Sequence, residues 1–505
     1  MRSESALCWP NAAAIVGVLF AGAAGACALV LDSGKYHAVE TDAHAGDVSV
    51  GACSPGQDRR SLENACTSAA CVPYSGTLPT CAGGLCPLPS PSAAADGAPT
   101  ASDAGNSAGP DTPCATVRPN PNDILFVTGS TALKGFIQEV SKVLATQPTN
   151  PVTVVYQASG SCVGVKAAID PGNNPLVASA GATTYYDANG NAQTCTIDRT
   201  HALVADVGAS DVFYSTCYMG EMVTPTLPQD IADNFGPVQI MNFAVPQGSS
   251  QRSISLNAAY YIFGFGGGAY PVPPWTDPME LQIRSAASGT QSMIAAAIGV
   301  PAAQWRGVGN ATSGEVGNAL VAAGQSNSQA IVDSALGILA SDYLVQNSDA
   351  LRGLAVKDEN STCAYYPSSS ATSRDNANAR DGHYPLWGPS HFYVRVNGQT
   401  RVPSKPGATQ FIDGLSGVTP LPGLDLIAEY ASKGLVPLCA MHVSRNNDGG
   451  GYQHYTPPTT CNCYFDLIAT GANACKLCST NADCPTDAPN CNRFGPAPQQ
   501  GNCDL

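Results

Sequence analysis

Between residues 121 and 470 short apolar runs alternate with amphipathic ones, and the turns that join them are built from Gly, Ser and Thr. Ile124-Leu125-Phe126-Val127 reads as a strand, Thr128-Gly129-Ser130-Thr131 as a tight turn, and Leu133 to Leu144 as a helix. The same unit recurs: a strand over Pro151 to Tyr156, a turn at Ser159-Gly160-Ser161, a short helix over Val163 to Ile169. Further apolar strands are expected at Ala202-Leu203-Val204 and Val238 to Met241. Helices are expected at Ser292 to Ile298, Gln329 to Ala340 and Gly423 to Tyr430. This alternation argues for an α/β fold.

The flanks differ in composition from this body. Residues 1–27 hold Arg2, an apolar run from Ala12 through Phe20 and a small-residue string ending at Ala26, the pattern of a signal sequence. No later stretch approaches the roughly 20 apolar residues of a membrane span. Cys27 after Ala24-Gly25-Ala26 suits either a lipoprotein signal with a lipid anchor at Cys27 or ordinary signal cleavage nearby. Residues 28–86 form a cysteine-rich segment, 87–120 a Pro/Ala/Ser/Gly-rich linker, and 471–505 a second cysteine-rich segment. Without Cys8 and Cys27, 18 of the 20 cysteines remain, an even number suited to disulfides in an oxidising compartment. Cys475-x-x-Cys478 has zinc-like spacing, but no histidine cluster accompanies it, and disulfides are the expectation. The protein is therefore expected to be exported, in the periplasm or at the cell surface.

Hydrophobic residues make up 44% of the 505 and charged residues only 12%, so the chain has a large core to bury and little charged surface. A formal net charge of −15 with no basic run opposes nucleic-acid binding.

Four segments place hydrogen-bonding groups where a strand meets a helix or turn. Ser130 and Thr131, Ser161, and Ser288-Gly289-Thr290 each open a helix, where free N–H groups and hydroxyls suit an anion. Asp211 ends Gly208-Ala209-Ser210-Asp211, and Arg284 stands four residues before Ser288. Taken singly, Ser and Thr at such places are ordinary helix caps, and Asp211 suits the cap of a turn near Val212. Together they suit a tetrahedral oxyanion: neutral donors surround it without accumulating positive charge, and one Arg adds charge-assisted bonds.

The order and spacing of these segments resemble the phosphate-binding proteins that feed phosphate ABC importers, two-lobed periplasmic binding proteins with crossing hinge strands. The resemblance spans residues 121–470 and leaves the cysteine-rich flanks outside it. It implies that Ser130, Thr131 and Ser161 donate from the first lobe, and that Asp211 accepts the ligand's proton. Arg284, Ser288, Gly289 and Thr290 would close from the second lobe. It also implies inorganic phosphate as ligand, an ABC permease as partner, no cofactor and no catalysis. Cys162-Val163, the insertion from Gly181 to Thr200 and the polar excursion from Ser361 to Asp381 depart from the family pattern, the insertion lengthening the approach to Asp211. Tyr384-Pro385-Leu386 resembles the family's return into the first lobe.

Two other functions compete. A phosphate-ester hydrolase would need a nucleophile with a partnered histidine, yet no Gly-x-Ser-x-Gly elbow is present between a strand and a helix. His201, His383, His391, His442 and His454 have no compelling partner spacing, although His201 and His391 suit places near a hinge. A surface adhesion or sensing protein on the same scaffold would account for the linker and both cysteine-rich flanks.

Overall fold

The computed structural model describes residues 69, 71–74, 76–81, 84–89, 112–176, 183–197, 203–221, 224–359, 361–398, 400–417, 419–472, 474–494 and 501–504. The signal sequence with Cys27, together with Cys53, Cys66 and His201, lies outside the described residues.

The body is a two-lobed α/β structure organised by one eleven-stranded mixed sheet. In the first lobe, β1 (Ile124–Gly129) pairs in parallel with β2 (Thr153–Ala158) on one side; α1 (Lys134–Ala145) follows β1 and α2 (Ser161–Ile169) follows β2. The hairpin of β3 (Thr183–Tyr186) and β4 (Ala192–Cys195) extends the sheet beyond β2, while β5 (Val207–Ser210) pairs in parallel on the other side of β1. β1 and β2 are buried on both faces nearly throughout, which is why they read as continuous apolar runs, and the short β5 is fully buried as well. The α1 face formed by Phe136, Ile137, Val140 and Leu144 packs on them.

The second lobe starts from β6 (Ile231–Pro246), a 16-residue strand. It continues through β7 (Ser253–Ser255), α3 (Leu256–Phe265), β8 (Leu281–Arg284), α4 (Gly289–Ile298), β9 (Val308–Asn310), α5 (Ser313–Gly324), α6 (Gln329–Ser334), β10 (Leu336–Ala340), α7 (Ser341–Gln346), β11 (Leu351–Gly353) and β12 (Ala355–Lys357). Here β10 lies antiparallel to β6 and parallel to β8, and β9 forms the edge. The chain then passes α8 (Ala377–Asp381) and returns along β13 (Trp387–Arg395) to α9 (Pro406–Ser416) and α10 (Leu426–Ser432) on the first lobe.

Two strands join the lobes. β13 lies between β5 and β6, with His391 opposite Ser210 on one side and Phe235 on the other. β6 pairs with β13 along its first part and with β10 from Met241 to Ala244. The resemblance predicted this crossing hinge, and Tyr384-Pro385-Leu386 does lead directly into β13.

Three local expectations need correction. The helix expected over Gln329 to Ala340 stops at Ser334, and Leu336 to Ala340 is the fully buried strand β10. The strand expected at Ala202 to Val204 falls later, at Val207–Ser210; Leu203 makes only an isolated bridge to Leu176, and Val204 is exposed. The Gly181 to Thr200 insertion does not lengthen the approach to Asp211. Its β3–β4 hairpin widens the outer edge of the sheet, three strand positions away from β5.

All 16 described cysteines are paired, in eight disulfides. Cys71–Cys363 staples the N-terminal cysteine-rich stretch to the second lobe, where the Cys86 N–H donates to the Tyr261 hydroxyl (3.0 Å) and the Tyr260 hydroxyl donates to the Cys86 carbonyl (2.6 Å). At the other end β14 (Val443–Arg445) pairs with β15 (Tyr452–His454), and α11 (Asn462–Thr470) carries the C-terminal segment. That segment is a three-stranded sheet of β16 (Leu477–Cys478), β17 (Asn490–Asn492) and β18 (Gly501–Asp504). Cys475 and Cys478 do not form a common site: Cys475 bonds Cys463 and Cys478 bonds Cys491. The sulfurs of Cys478, Cys484 and Cys503 lie within 4.8 Å of one another, but each belongs to a disulfide. Among the described residues no helix is long and apolar enough to cross a membrane.

A protease site inserted within the Pro87 to Thr112 stretch tests the Cys71–Cys363 staple. Cut protein should run as one species without reductant and as two with it, and Cys71→Ser should separate into two in both conditions. Separation of the unreduced wild type would remove this disulfide.

Candidate functional site

The residues singled out in the sequence fall at the C-terminal ends of parallel strands. Ser130 follows β1, Ser161 stands just beyond β2, Asp211 follows β5, and Ser288-Gly289-Thr290 follows β8. Parallel pairing brings the ends of β1, β2 and β5 to one edge of the first lobe, while β8, which runs the opposite way in the mixed sheet, brings Ser288-Gly289-Thr290 to them from the second lobe.

Asp211 is the centre of the arrangement. Its buried carboxylate accepts from the Ser130 hydroxyl at 2.6 Å through Oδ1 and from the Ser161 hydroxyl at 3.0 Å through Oδ2. Its own N–H donates to Ser161 Oγ at 3.2 Å. The capping role near Val212 is not the one taken: Asp448, not Asp211, accepts the Phe213 N–H. Desolvation pushes the Asp211 carboxyl up to about 6, against the two hydroxyl bonds and the charges of Arg284 and His391, which pull it down.

Gly129 makes the convergence of β1 and β5 possible. Its φ is +140°, and a Cβ there would stand 1.8 Å from the Ala209 carbonyl oxygen, so no other residue fits without moving β5. The adjacent Ser130 N–H donates to that same oxygen at 2.9 Å. The buried Tyr156 hydroxyl donates to the Ser130 carbonyl and fixes the turn from above β2.

The second lobe presses on this group through Gly289. A Cβ on Gly289 would stand 2.3 Å from Ser161 Oγ and 2.7 Å from Asp211 Oδ2. Next to it, the Cys162 N–H donates to the Ala287 carbonyl at 3.1 Å, a backbone bond from lobe to lobe. Ser288 caps α4 without a side-chain cap bond. Thr290 is buried and Thr131 half-buried, and among the described residues no hydrogen bond engages either hydroxyl. These hydroxyls remain as donors, and α4 begins at Gly289, the residue set against Ser161 and Asp211.

Arg284 is buried and stays cationic, although desolvation lowers it to about 10 against the opposing pull of Asp211, Glu315 and Asp342. Its guanidinium donates to Ser313 Oγ (2.8 Å) and the Ala311 carbonyl (2.9 Å), and its Nε is buried without a partner among the described residues. Its N–H donates to Gln291 Oε1 of α4 at 2.8 Å, tying β8 to the helix that presents Gly289.

Asp342 was not singled out in the sequence. At the start of α7, its Oδ1 is buried without a partner among the described residues, and burial together with the Asp211 charge raises its carboxyl to about 7. No motif flags it, because its relation to Arg284 arises only through the β8–β10 pairing and its relation to Asp211 only through the meeting of the lobes. Two other sequence features find their place here. Cys162 bonds Cys217, locking the first turn of α2 beside Ser161. His391, buried on β13, holds Asp233 through Nδ1 at 3.0 Å, with its Nε2 unpartnered among the described residues.

No family model and no curated protein matches the chain. Solved structures do match. An ABC-type phosphate transport receptor from Vibrio cholerae aligns over 62% of this chain and 99% of its own, at 13% identity and a TM-score of 0.38. A phosphate-binding protein from Stenotrophomonas maltophilia aligns over 62% and 90%, at 14% identity and a TM-score of 0.34. PstS from Borrelia burgdorferi aligns over 62% and 98%, at 14% identity and a TM-score of 0.33.

The close approach at Gly289 yields a direct test. Gly289→Ala should force the second lobe away from Ser161 and Asp211, so that the amide of Cys162 exchanges hydrogen faster by mass spectrometry. Unchanged exchange there would mean that the lobes do not meet at Gly289.

Proposed function

We propose that this protein is an extracytoplasmic solute-binding protein that captures inorganic phosphate between its two lobes and delivers it to an ABC permease. The observation that carries this reading is a buried acceptor of the first lobe, Asp211, within electrostatic reach of a buried cation of the second, Arg284, with Gly289 of the second lobe set against Ser161 and Asp211. Thr131, Ser288 and Thr290 would donate to the phosphate oxygens together with the first N–H groups of α4. Gly289 lets the ligand and the first lobe approach without a side chain between them. Arg284 would exchange part of its bonding to Ser313 and Ala311 for charge-assisted bonds to the ligand.

Asp211 explains selectivity. An ionised carboxylate only accepts, so it suits an oxyanion that still carries a proton and repels one that carries none. Phosphate near neutral pH has such a proton and sulfate does not. The Asp211 value of about 6 sets the pH window. Above it the carboxylate demands a protonated ligand; below it the neutral acid can itself donate, and the barrier to sulfate falls.

The same shift has a consequence for stability. The folded value of about 6 lies above the unassociated 3.8, so the empty fold binds a proton more tightly than the unfolded chain. This contribution is full below the unfolded value and is lost as pH rises through about 6. A bound phosphate that shares its proton with Asp211 would offset that loss at neutral pH.

His391 pairs with Asp233, and His442 with Asp381 and Asn462, so neither is bonded to a serine hydroxyl.

Calorimetry tests the reading at two residues. Arg284→Ala should weaken phosphate binding by about 2 to 5 kcal/mol, the cost of stripping one partner from a buried charge pair. Unchanged affinity would exclude Arg284. Wild type should prefer phosphate to sulfate by about 1 to 3 kcal/mol or more near pH 8, and the gap should narrow below pH ~6. Asp211→Asn should narrow it at every pH. Equal preference in both proteins would remove Asp211 from this role, and failure of wild type to bind either anion would remove the phosphate assignment.

A further inference from the structure

A second cavity, of about 430 Å³, lies between the end of β6, β11, α7 and the excursion that follows Cys363. None of the residues around Asp211 lines it. Three arginines do, Arg252, Arg352 and Arg374, and no Asp or Glu is among its lining residues. In a chain with only 23 Lys and Arg against 38 Asp and Glu, three arginines around one cavity with no carboxylate in its lining are out of keeping with the rest of the molecule.

The geometry holds two of these cations together. Arg252 Nη1 donates to the Ser249 carbonyl (2.6 Å) and the Gln251 carbonyl (3.0 Å), and Arg352 Nη2 donates to the same two oxygens. Two guanidinium groups anchored on one pair of carbonyls repel each other. Accordingly Arg352 is lowered by burial first and by the charge of Arg252 second. Its Nε is buried without a partner among the described residues.

The nearest carboxylates are already engaged. Asp333 accepts from Ser249, Ser250 and Gln329, and Asp375 accepts from Ser369 and Ala377. Arg374 is exposed on the excursion and, among the described residues, has no ion pair or hydrogen bond. Each guanidinium therefore keeps donors that no protein acceptor takes. Ser370 accepts the N–H groups of Thr372 and Ser373, which leaves its own hydroxyl proton to give.

We infer that this cavity is a second anion site and that it takes a phosphomonoester of a hydroxylated carbon skeleton, such as a sugar phosphate. The paired arginines match a phosphate dianion, for which a planar fork of donors is the best partner. The volume is too large for one tetrahedral oxyanion and lies in the range of pockets for small organic ligands. Ser370 and Thr372 supply partners for hydroxyls, and Tyr366 adds an aromatic side chain to the lining. The site does not depend on the role assigned to Asp211 and Arg284.

The test uses the full chain titrated with glucose 6-phosphate in a calorimeter, with inorganic phosphate already saturating and with glucose as the uncharged control. One equivalent of glucose 6-phosphate should bind and glucose should not. Arg374→Gln disturbs no internal bond and should weaken binding about tenfold; Arg352→Gln should weaken it more. Repeating the titration with Arg284→Ala in phosphate-free buffer separates this site from the cleft, because binding should persist there. Absence of binding by wild type, equal binding of glucose, an unchanged affinity in Arg374→Gln and Arg352→Gln, or loss of binding in Arg284→Ala would each overturn the proposal.

Discussion

A buried carboxylate with no ion-pair partner in contact is the constraint around which the cleft is built. Moving such a group out of water costs several kcal/mol unless its lone pairs are filled. Asp211 fills them with two neutral hydroxyls, Ser130 and Ser161, and not with a cation. Arg284, the cation within electrostatic reach, is held back by Ser313 and Ala311. The two charges therefore do not neutralise each other. Each remains able to act on something placed between them, the acid as an acceptor and the guanidinium as a donor.

That arrangement dictates the backbone around it. Ser130 and Ser161 can reach one carboxylate only if β1, β2 and β5 end at the same edge, which parallel pairing ensures. The ends must also come closer than side chains allow, hence Gly129 against the Ala209 carbonyl and Gly289 against Ser161. Continuous apolar burial of the three strands makes their register rigid, so that the hydroxyls are placed by the core and not by the turns alone. The link from sequence to site thus runs through packing: the Ser and Thr residues choose the chemistry, and the strands fix where it occurs.

How much of this could be read in the sequence follows the range of each interaction. Of the four phrases singled out in the sequence, those at Ser130 and Ser161 were legible from the apolar strands β1 and β2 before them, whereas the strand before Asp211 was expected too early and β8 was not expected, so those two phrases stood out by residue type alone. Gln329 to Ala340 was misread as one helix because Leu336-Gly337-Ile338-Leu339-Ala340 is buried on all sides, and a short apolar run carries no period to tell helix from strand. β13 escaped notice since Gly388, Pro389, Ser390 and His391 look like a polar loop; pairing with both β5 and β6 buries them. Asp342 was illegible for the same reason, its neighbours being 58 residues or more away in the chain. The even cysteine count spoke for disulfides, but the partner of Cys71, 292 residues on, is a fact of the fold alone.

The disulfides bear on motion as well as on stability. Cys114–Cys195 and Cys162–Cys217 each join residues of the first lobe, and Cys71–Cys363 joins the N-terminal stretch to the second. Of the remaining described pairs, Cys81–Cys86, Cys478–Cys491 and Cys484–Cys503 lie within the flanks, Cys439–Cys461 lies near the end of the body and Cys463–Cys475 ties α11 to the C-terminal segment, so no described disulfide joins β1–β5 to β8–β10. What holds the lobes shut is weaker. It includes the Cys162 to Ala287 backbone bond, the contact of Gly289 with Ser161, the approach of Cys162 Sγ to Ser292 Oγ, and the turn at Asp448 and Gly449. In that turn Asp448 binds Phe213 and Thr216 of the first lobe, while a Cβ on Gly449 would meet Ala296 of α4 in the second. Cross-links thus stiffen each lobe and leave the hinge strands β6 and β13 free to bend between them. A chain with few charged residues gains stability from covalent closure within each lobe without fixing one lobe to the other.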